Sequence, residues 1–489
     1  MADVFISYHV TPETTALVRN IADELESIGV TCWYAPRNVK PGAFVPSILE
    51  AIDACKVFLL ILDEGANGPG YVYNETLEAF NRYKSEKQPR IIPFKLGTFP
   101  VMRELYFYLR SFHVFEGGAS AETADTAKLI REICGLFDKA PTKIVKRGEC
   151  GENVRYTLDE NGVLTISGNG SMRDDAIAPW RDERETITEA KIQHGVTTIG
   201  DYAFLGCAGL TSVTIPQGVT KIGKYAFADC VGLTSVTIPQ GVTTIGNCVF
   251  TGCAGLTSVT IPDSVTTIGD WAFADCAGLT SVTIPDSVTT IGDWAFAGCA
   301  GLTSVAIPDR VTQIGGGAFA RCAGLTSVAI PDRVTQIGGS AFEGCAGLTS
   351  VTIPDSVTTI GDWAFADCAG LTSVTIPQGV EEIGKYAFNG CAGLTGVTIP
   401  GNVSVIPYAA FGDCARLTNV TISGGVTRIC TNAFADCKAL ESVTIPNSMT
   451  QIDDGAFYGC EKLRRVAVPK NAKVAENAFS PNVYVERGE

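Results

Sequence analysis

Twelve cysteines stand 23 residues apart, at 207, 230, 253, 276, 299, 322, 345, 368, 391, 414, 437 and 460. Thiolates bind metals or exchange electrons when they cluster, yet the chain has no CxxC and no HExxH, and His9, His113 and His194 lie far apart. No metal site is expected, and one cysteine per period reads as a small buried side chain filling one slot per stacked unit. Residues 218–224 and 379–385 fit GxxxxGK, the pattern whose backbone amides cradle phosphate. Tyr225 and Tyr386 then stand where such loops need Ser or Thr for magnesium, and both segments lie inside periodic units. The phosphate-loop reading fails. Glu75, in Tyr71-Val72-Tyr73-Asn74-Glu75, is the remaining acid of interest; taken alone it reads as a solvated helix-face residue like Glu78.

The elements around these residues fall into two grammars. From about residue 190 each period runs close to L-T-S-V-T-I-P-x-x-V-T-x-I-G-x-x-A-F-x-x-C-x-G. Leu210, Val213 and Ile215 point the apolar side of a short strand inward, with Ser212 and Thr214 outward. Pro216 and Gly218 turn the chain, and Val219 and Ile222 form a second apolar pair. Ala226, Phe227 and Cys230, at short helical spacing, plug the opposite side. A unit this short must bury its apolar face against its neighbours, so the array is a solenoid. Five residues before successive ladder cysteines stand Tyr202, Tyr225, Trp271, Trp294, Trp363 and Tyr386, with Cys248, Gly317, Ser340, Ala409, Asn432 and Gly455 at the other positions. The rings either lie over their own coils or form a surface that receives a ligand or the N-terminal domain. Arg310, Arg333 and Arg321 interrupt the array and read as solvated.

The first 140 residues follow the other grammar. Strands are expected over 4–7, 30–34, 56–62, 90–94 and 112–115. Helices are expected through Leu17, Ile21 and Leu25, and over 44–54, 72–83 and 121–137. Strand and helix in alternation mark a parallel α/β sheet, whose ligand crevice lies beyond the carboxyl ends of the strands. This part carries 14 Lys/Arg against 18 Asp/Glu, and the whole chain a formal charge of −15, which excludes a phosphate-neutralising nucleic-acid surface. No apolar run approaches the roughly 18 to 20 residues of a membrane span. The opening Met-Ala-Asp-Val-Phe-Ile-Ser-Tyr lacks a basic, apolar leader, and a reducing cytoplasmic location is expected.

The periodic part, over 190 to about 475, resembles the BspA-like leucine-rich repeats; residues 147–189 look like an N-terminal cap and 462–489 a C-terminal one. Three boxes in the first 140 residues resemble a Toll/interleukin-1 receptor (TIR) domain of bacterial type: Phe5-Ile6-Ser7-Tyr8, then Trp33-Tyr34-Ala35-Pro36-Arg37 with Lys40-Pro41-Gly42, then Tyr71-Val72-Tyr73-Asn74-Glu75. The resemblance implies a flavodoxin-like five-stranded TIR domain over 1–140, a linker and cap over 141–190, and a solenoid of 23-residue repeats over 191–489. It also implies NAD+ as substrate, without a cofactor, cleaved at the nicotinamide–ribose bond with Glu75 as the catalytic carboxylate. Nicotinamide leaves as a neutral molecule, so one carboxylate that stabilises an oxocarbenium-like ribose suffices. By the same resemblance Phe5, Ser7, Trp33, Arg37 and Tyr71 bind substrate, and Pro36, Arg37, Lys40, Pro41 and Gly42 form the BB loop through which TIR domains self-associate. Tyr71 stands where the family has tryptophan, and residues 63–70 are glycine-rich where it has serines. Two functions from different classes follow. One is a NAD+ hydrolase or cyclase of bacterial antiviral immunity, activated by TIR–TIR association and regulated by the repeats. The other is a non-catalytic adaptor whose repeats bind a protein or a repetitive ligand.

Overall fold

The structure, a computed structural model, describes residues 2–34, 44–67, 70–121, 124–139, 143–174 and 177–488, with residues 27 and 44–47 described by their backbone alone. Two compact units divide the chain, Met1–Gly148 with Tyr156–Thr165, and Glu149–Arg155 with Ile166–Glu489.

In the first unit β1 (Val4–Ser7), β2 (Cys32–Trp33), β3 (Val57–Leu62), β4 (Arg90–Lys95) and β5 (Phe115–Glu116) form one parallel sheet in the order β2-β1-β3-β4-β5. That is the flavodoxin-like doubly wound order. Its helices are α1 (Pro12–Ser27), α2 (Phe44–Ala54), α3 (Tyr71–Glu86), α4 (Arg103–Leu109) and α5 (Ala127–Leu136). All six residues of β3 are buried, and their period-two alternation sorts them between two cores. Val57, Leu59 and Ile61 join Val4, Ile6 and the inner faces of α1 and α5. Phe58, Leu60 and Leu62 join Phe5 and the inner faces of α2, α3 and α4. Thr11 starts α1 through a capping box with Thr14, and Pro12 fits the first turn because its missing N–H would be unsatisfied there anyway.

The strands expected over 30–34 and 112–115 are confined to Cys32–Trp33 and Phe115–Glu116, and two helices also differ from the sequence expectation. The α4 segment, Arg-Glu-Leu-Tyr-Phe-Tyr-Leu, was not expected as a helix; its only periodic signal is the buried pair Leu105 and Leu109, hidden within an aromatic run. The closing helix starts at Ala127 instead of 121, where Asp125 Oδ1 accepts the Ala127 amide at 3.1 Å.

In the second unit the period fixes the register. Val282, Val305, Val328, Val351 and Val374 pair in one parallel ladder, and Ile245 through Ile383 in another, each step being one repeat. The third side of each coil is built of turns, not the short helix that Ala226, Phe227 and Cys230 suggested. Alternate turn amides there bond to the next coil, as Phe227 N–H does to the Val249 carbonyl at 2.9 Å, and those between them bond within their own coil, as Ala228 N–H does to the Tyr225 carbonyl at 3.2 Å. Phenylalanines from Phe204 to Phe479 stack at centroid distances of 5.0 to 5.6 Å. Trp180 covers the first of them at 5.8 Å, and its indole N–H donates to the Ala203 carbonyl.

The cysteines do more than fill space. From Cys230 to Cys460 each ladder thiol lies 3.1 to 3.3 Å from the carbonyl oxygen of the preceding coil's stacked phenylalanine. Burial pushes the Cys253, Cys322 and Cys368 thiols up to about 12, so thiolate is scarce. None of the eighteen cysteines is in a disulfide, and Cys430 alone among them is not fully buried. A disulfide-exchange reagent at about pH 8 should therefore label little beyond Cys430 in the folded chain and all eighteen after denaturation. Rapid labelling of several native ladder thiols would contradict this packing.

A further regularity was invisible in the sequence. All twelve positions of the aromatic column are left-handed, with φ between 50° and 65°. Glycine and asparagine suit that region, whereas a bulky L-residue there costs about 1 kcal/mol or more.

Candidate functional site

The site grows from the way β1 and α3 meet. Along β1, Phe5 faces the α2–α3 side, so Ser7, two residues on, faces the same way. Helix α3 buries Val72, Thr76, Ala79 and Phe80. Glu75, three residues after Val72 and four before Ala79, falls on that inward stripe and not among the solvated positions. Ser7 is buried and donates its hydroxyl to Glu75 Oε2.

Glu75 also opens onto a cleft of about 230 Å³ between two helices, lined by Ile48, Leu49 and Ile52 of α2 and by Tyr71, Asn74, Glu75 and Glu78 of α3. Arg82 pins the two helices by donating to the Ile52 carbonyl and, at 3.3 Å, to that of Cys55 at the end of α2. Burial lifts the Glu75 carboxyl to about 7, while the Ser7 hydrogen bond pulls the other way.

The lifted carboxyl makes a stability prediction. Glu75 is protonated in both folded and unfolded chains below about pH 4.5. Between there and about 7 only the unfolded chain ionises, so stability falls as pH rises and the full loss is present above 7. Glu75→Gln removes the charge and keeps an acceptor for Ser7. In chemical denaturation of the whole chain it should match the wild type near pH 4.5 and stabilise the first unit at pH 8 by on the order of 1–2 kcal/mol, discounted for partial exposure. Equal stability at both pH values would show that Glu75 is well solvated.

The other expected site residues are distributed unevenly. Tyr71 stands at the mouth of the cleft, 69% exposed. Phe5 is fully enclosed, stacked between Trp33 at 4.6 Å and Phe58 at 5.4 Å, so it supports the site from below and offers a ligand no surface. Trp33 is half-buried against it, and neither ring lines the cleft. Pro36, Arg37, Lys40, Pro41 and Gly42 lie outside the described residues. In the loop after β3, Asp63 Oδ1 accepts the Ala66 amide at 2.6 Å and Asn67 bridges to Pro100 and Met102, so its first half is well tied. The sequence reading passed over Asn74, Glu78 and the α2 residues as cleft-lining. The signal was available, since 71, 74, 75 and 78 are i, i+3, i+4 and i+7, one helix face.

Chemically, a half-buried carboxylate beside an apolar wall can stabilise a developing positive charge with little competition from water. No group of three or more His, Cys, Asp or Glu among the described residues could hold a metal ion. No helix among them is long and apolar enough to cross a membrane.

Comparison with known proteins agrees with both halves of the fold. A family model described as a TIR domain matches residues 4–130. One described as a BspA type leucine rich repeat region of six copies matches residues 183–302, 243–372, 291–417 and 358–486. Similar solved structures include a leucine-rich repeat protein from Eubacterium ventriosum, 26% identical, covering 68% of this chain and 94% of that one with a TM-score of 0.47. Another, from Bacteroides ovatus, is 25% identical and covers 69% of this chain and 99% of that one, with a TM-score of 0.48. No curated protein matches. The chain belongs to the BspA-type leucine-rich-repeat proteins and carries a TIR domain ahead of its repeats.

Proposed function

We propose that the protein is a cytoplasmic TIR-type NAD+ nucleosidase that breaks the nicotinamide–ribose bond, with Glu75 as the catalytic carboxylate. The observation that carries this reading is the inward placement of Glu75, held by Ser7 at the edge of a cleft between α2 and α3. In the proposed step the C–N bond breaks with its electron pair going to nicotinamide. The ionised Glu75, hydrogen-bonded to ribose hydroxyls, stabilises the cationic sugar. Water then gives ADP-ribose, or an adenine nitrogen of the same molecule gives a cyclic product. Tyr71 supports the base or sugar at the mouth of the cleft, and the ring of Trp33 supports its floor.

The described cleft is smaller than the roughly 300–1,000 Å³ of sites that enclose a drug-sized ligand. It suits the nicotinamide–ribose half of the dinucleotide, which fits a design in which Pro36, Arg37, Lys40, Pro41 and Gly42 mediate TIR–TIR association and complete the site. The repeats then keep the resting enzyme off until a protein or repetitive ligand shifts the population toward the associated state, as antiviral defence would require. The test is purified full-length protein incubated with NAD+, alone and under crowding, with nicotinamide, ADP-ribose and its cyclic form separated by chromatography. Nicotinamide release that is lost in Glu75→Gln supports the enzyme. Stable association without release in either protein, crowded or not, favours the adaptor.

A further inference from the structure

Regular coils of the array carry two adjacent columns. In the first, an aspartate Oδ1 accepts the backbone N–H one coil on: Asp270 from Asp293 at 3.0 Å, Asp293 from Gly316 at 2.7 Å, and Asp362 from Lys385 at 2.7 Å. In the second, immediately after it, rings stack between coils: Trp271 on Trp294 at 5.2 Å, and Trp363 on Tyr386 at 3.9 Å. Both columns stop together in two coils that lie between Asp-Trp coils on either side, where Gly316-Gly317 and Gly339-Ser340 replace Asp-Trp; toward the C-terminal end Tyr408-Ala409 and Thr431-Asn432 lack the pair as well.

Three things follow at that interruption. The backbone amides of Gly339 and Asp362 lose the carboxylate that would meet them in a regular coil, and they make no hydrogen bond among the described residues. Trp294 leans over Gly317, where a Cβ would fall 2.4 Å from the indole. The face of Trp363 turned toward Ser340 has no ring against it, and Trp363 stays 37% exposed. The local charge changes as well. Residues 256–301 hold five aspartates and no Lys or Arg, whereas residues 302–347 offset Asp309, Asp332 and Glu343 with Arg310, Arg321 and Arg333. None of those three guanidinium groups forms an ion pair among the described residues. Nor is the ring column a demand of the backbone, because its left-handed positions suit glycine better than tryptophan.

We infer that this interruption is a docking slot for a protein partner presenting an acidic side chain next to an aromatic one, the pair these two coils lack. The partner's carboxylate accepts from the open amides at Gly339 and Asp362, as Asp293 accepts from Gly316. Its ring stacks on the bare face of Trp363, in the offset geometry that aromatic pairs prefer. The neutralised stretch, with its unpaired arginines, admits an acid that the surrounding array would repel. This inference stands apart from NAD+ cleavage.

The probe is the peptide acetyl-Gly-Asp-Trp-Gly-amide, titrated by calorimetry into the full-length protein. It should bind at least about tenfold more tightly than acetyl-Gly-Asn-Ala-Gly-amide. The double variant Gly339→Asp/Ser340→Trp rebuilds from within the Gly-Asp-Trp found at 269–271, 292–294 and 361–363, so it folds as its neighbours do. An unchanged thermal transition checks this. The variant should lose peptide binding by about tenfold or more. Equal affinity for the two peptides, undiminished binding by the variant, or no binding of the Asp-Trp peptide would overturn the slot. Tighter binding of tri-galacturonate, abolished by the same variant, would overturn the protein partner in favour of an acidic glycan.

Discussion

Glu75→Gln is expected to lower nicotinamide release from NAD+ by about 10² to 10³-fold, the range seen when one preorganised electrostatic group is removed from a site that stabilises developing charge. Glutamine keeps the size of the side chain and an acceptor for the Ser7 hydroxyl, so the loss isolates the negative charge. If the anion acts only in the transition state, kcat and kcat/KM should fall together. The lifted pKa adds a pH signature. The working form of Glu75 is the carboxylate, so the activity of the free enzyme should rise with pH through about 7 and level off above it. Ser7→Ala removes the hydrogen bond that favours the anion, and the rising limb should move to higher pH. The stabilisation expected of Glu75→Gln at pH 8 and its loss of activity would then have one origin, a charge kept in a partly desolvated place.

Phe319→Ala, in the middle of the array, should damage it as much as any ladder phenylalanine truncation. Phe319 is fully buried and stacked between Phe296 at 5.5 Å and Phe342 at 5.6 Å, and its carbonyl takes the Cys345 thiol. Losing a buried phenylalanine costs about 3–5 kcal/mol, from lost transfer energy and the cavity left behind. In a solenoid that cost lands on a nearest-neighbour interface, so cooperativity should break there and the coils beyond it should melt as a separate step. Calorimetry of the full chain would show the split transition. The same measurement on Trp271→Gly should show a change of less than about 1 kcal/mol, because relief of its left-handed backbone offsets the lost stack with Trp294. A single unchanged transition for Phe319→Ala would contradict the ladder as the source of stability.

Much of this was readable in the residues. The 23-residue period alone dictates the parallel register, since any slip would misplace every valine and isoleucine of the ladders at once. The unbroken apolar run of β3 and the i, i+4, i+7 stripes of α1 and α3 reveal the doubly wound domain. Glu75 and Glu78 share the cleft-lining face of α3, and what sets Glu75 apart, the hydroxyl of Ser7 from β1, could not be read from the helix alone. What stayed hidden depends on neighbours in space. The bond from each cysteine thiol to a phenylalanine carbonyl spans two coils, and the left-handed column is set by hydrogen bonds across coils, not by the identity of Trp271 or Tyr225. Helix α4 was lost because four of its seven residues are leucine or tyrosine with no clean period. The open amides at Gly339 and Asp362 could be seen only once the aspartate rungs on either side had been placed.

The most direct test of the central claim is nicotinamide release by the full-length protein, wild type and Glu75→Gln, from about pH 5.5 to 8.5 under conditions that favour association. Release by the wild type that climbs through about pH 7 and is almost absent from the variant at every pH is the predicted result. Release that persists in the variant, or that follows the same pH curve without the carboxyl, would contradict the assignment of Glu75.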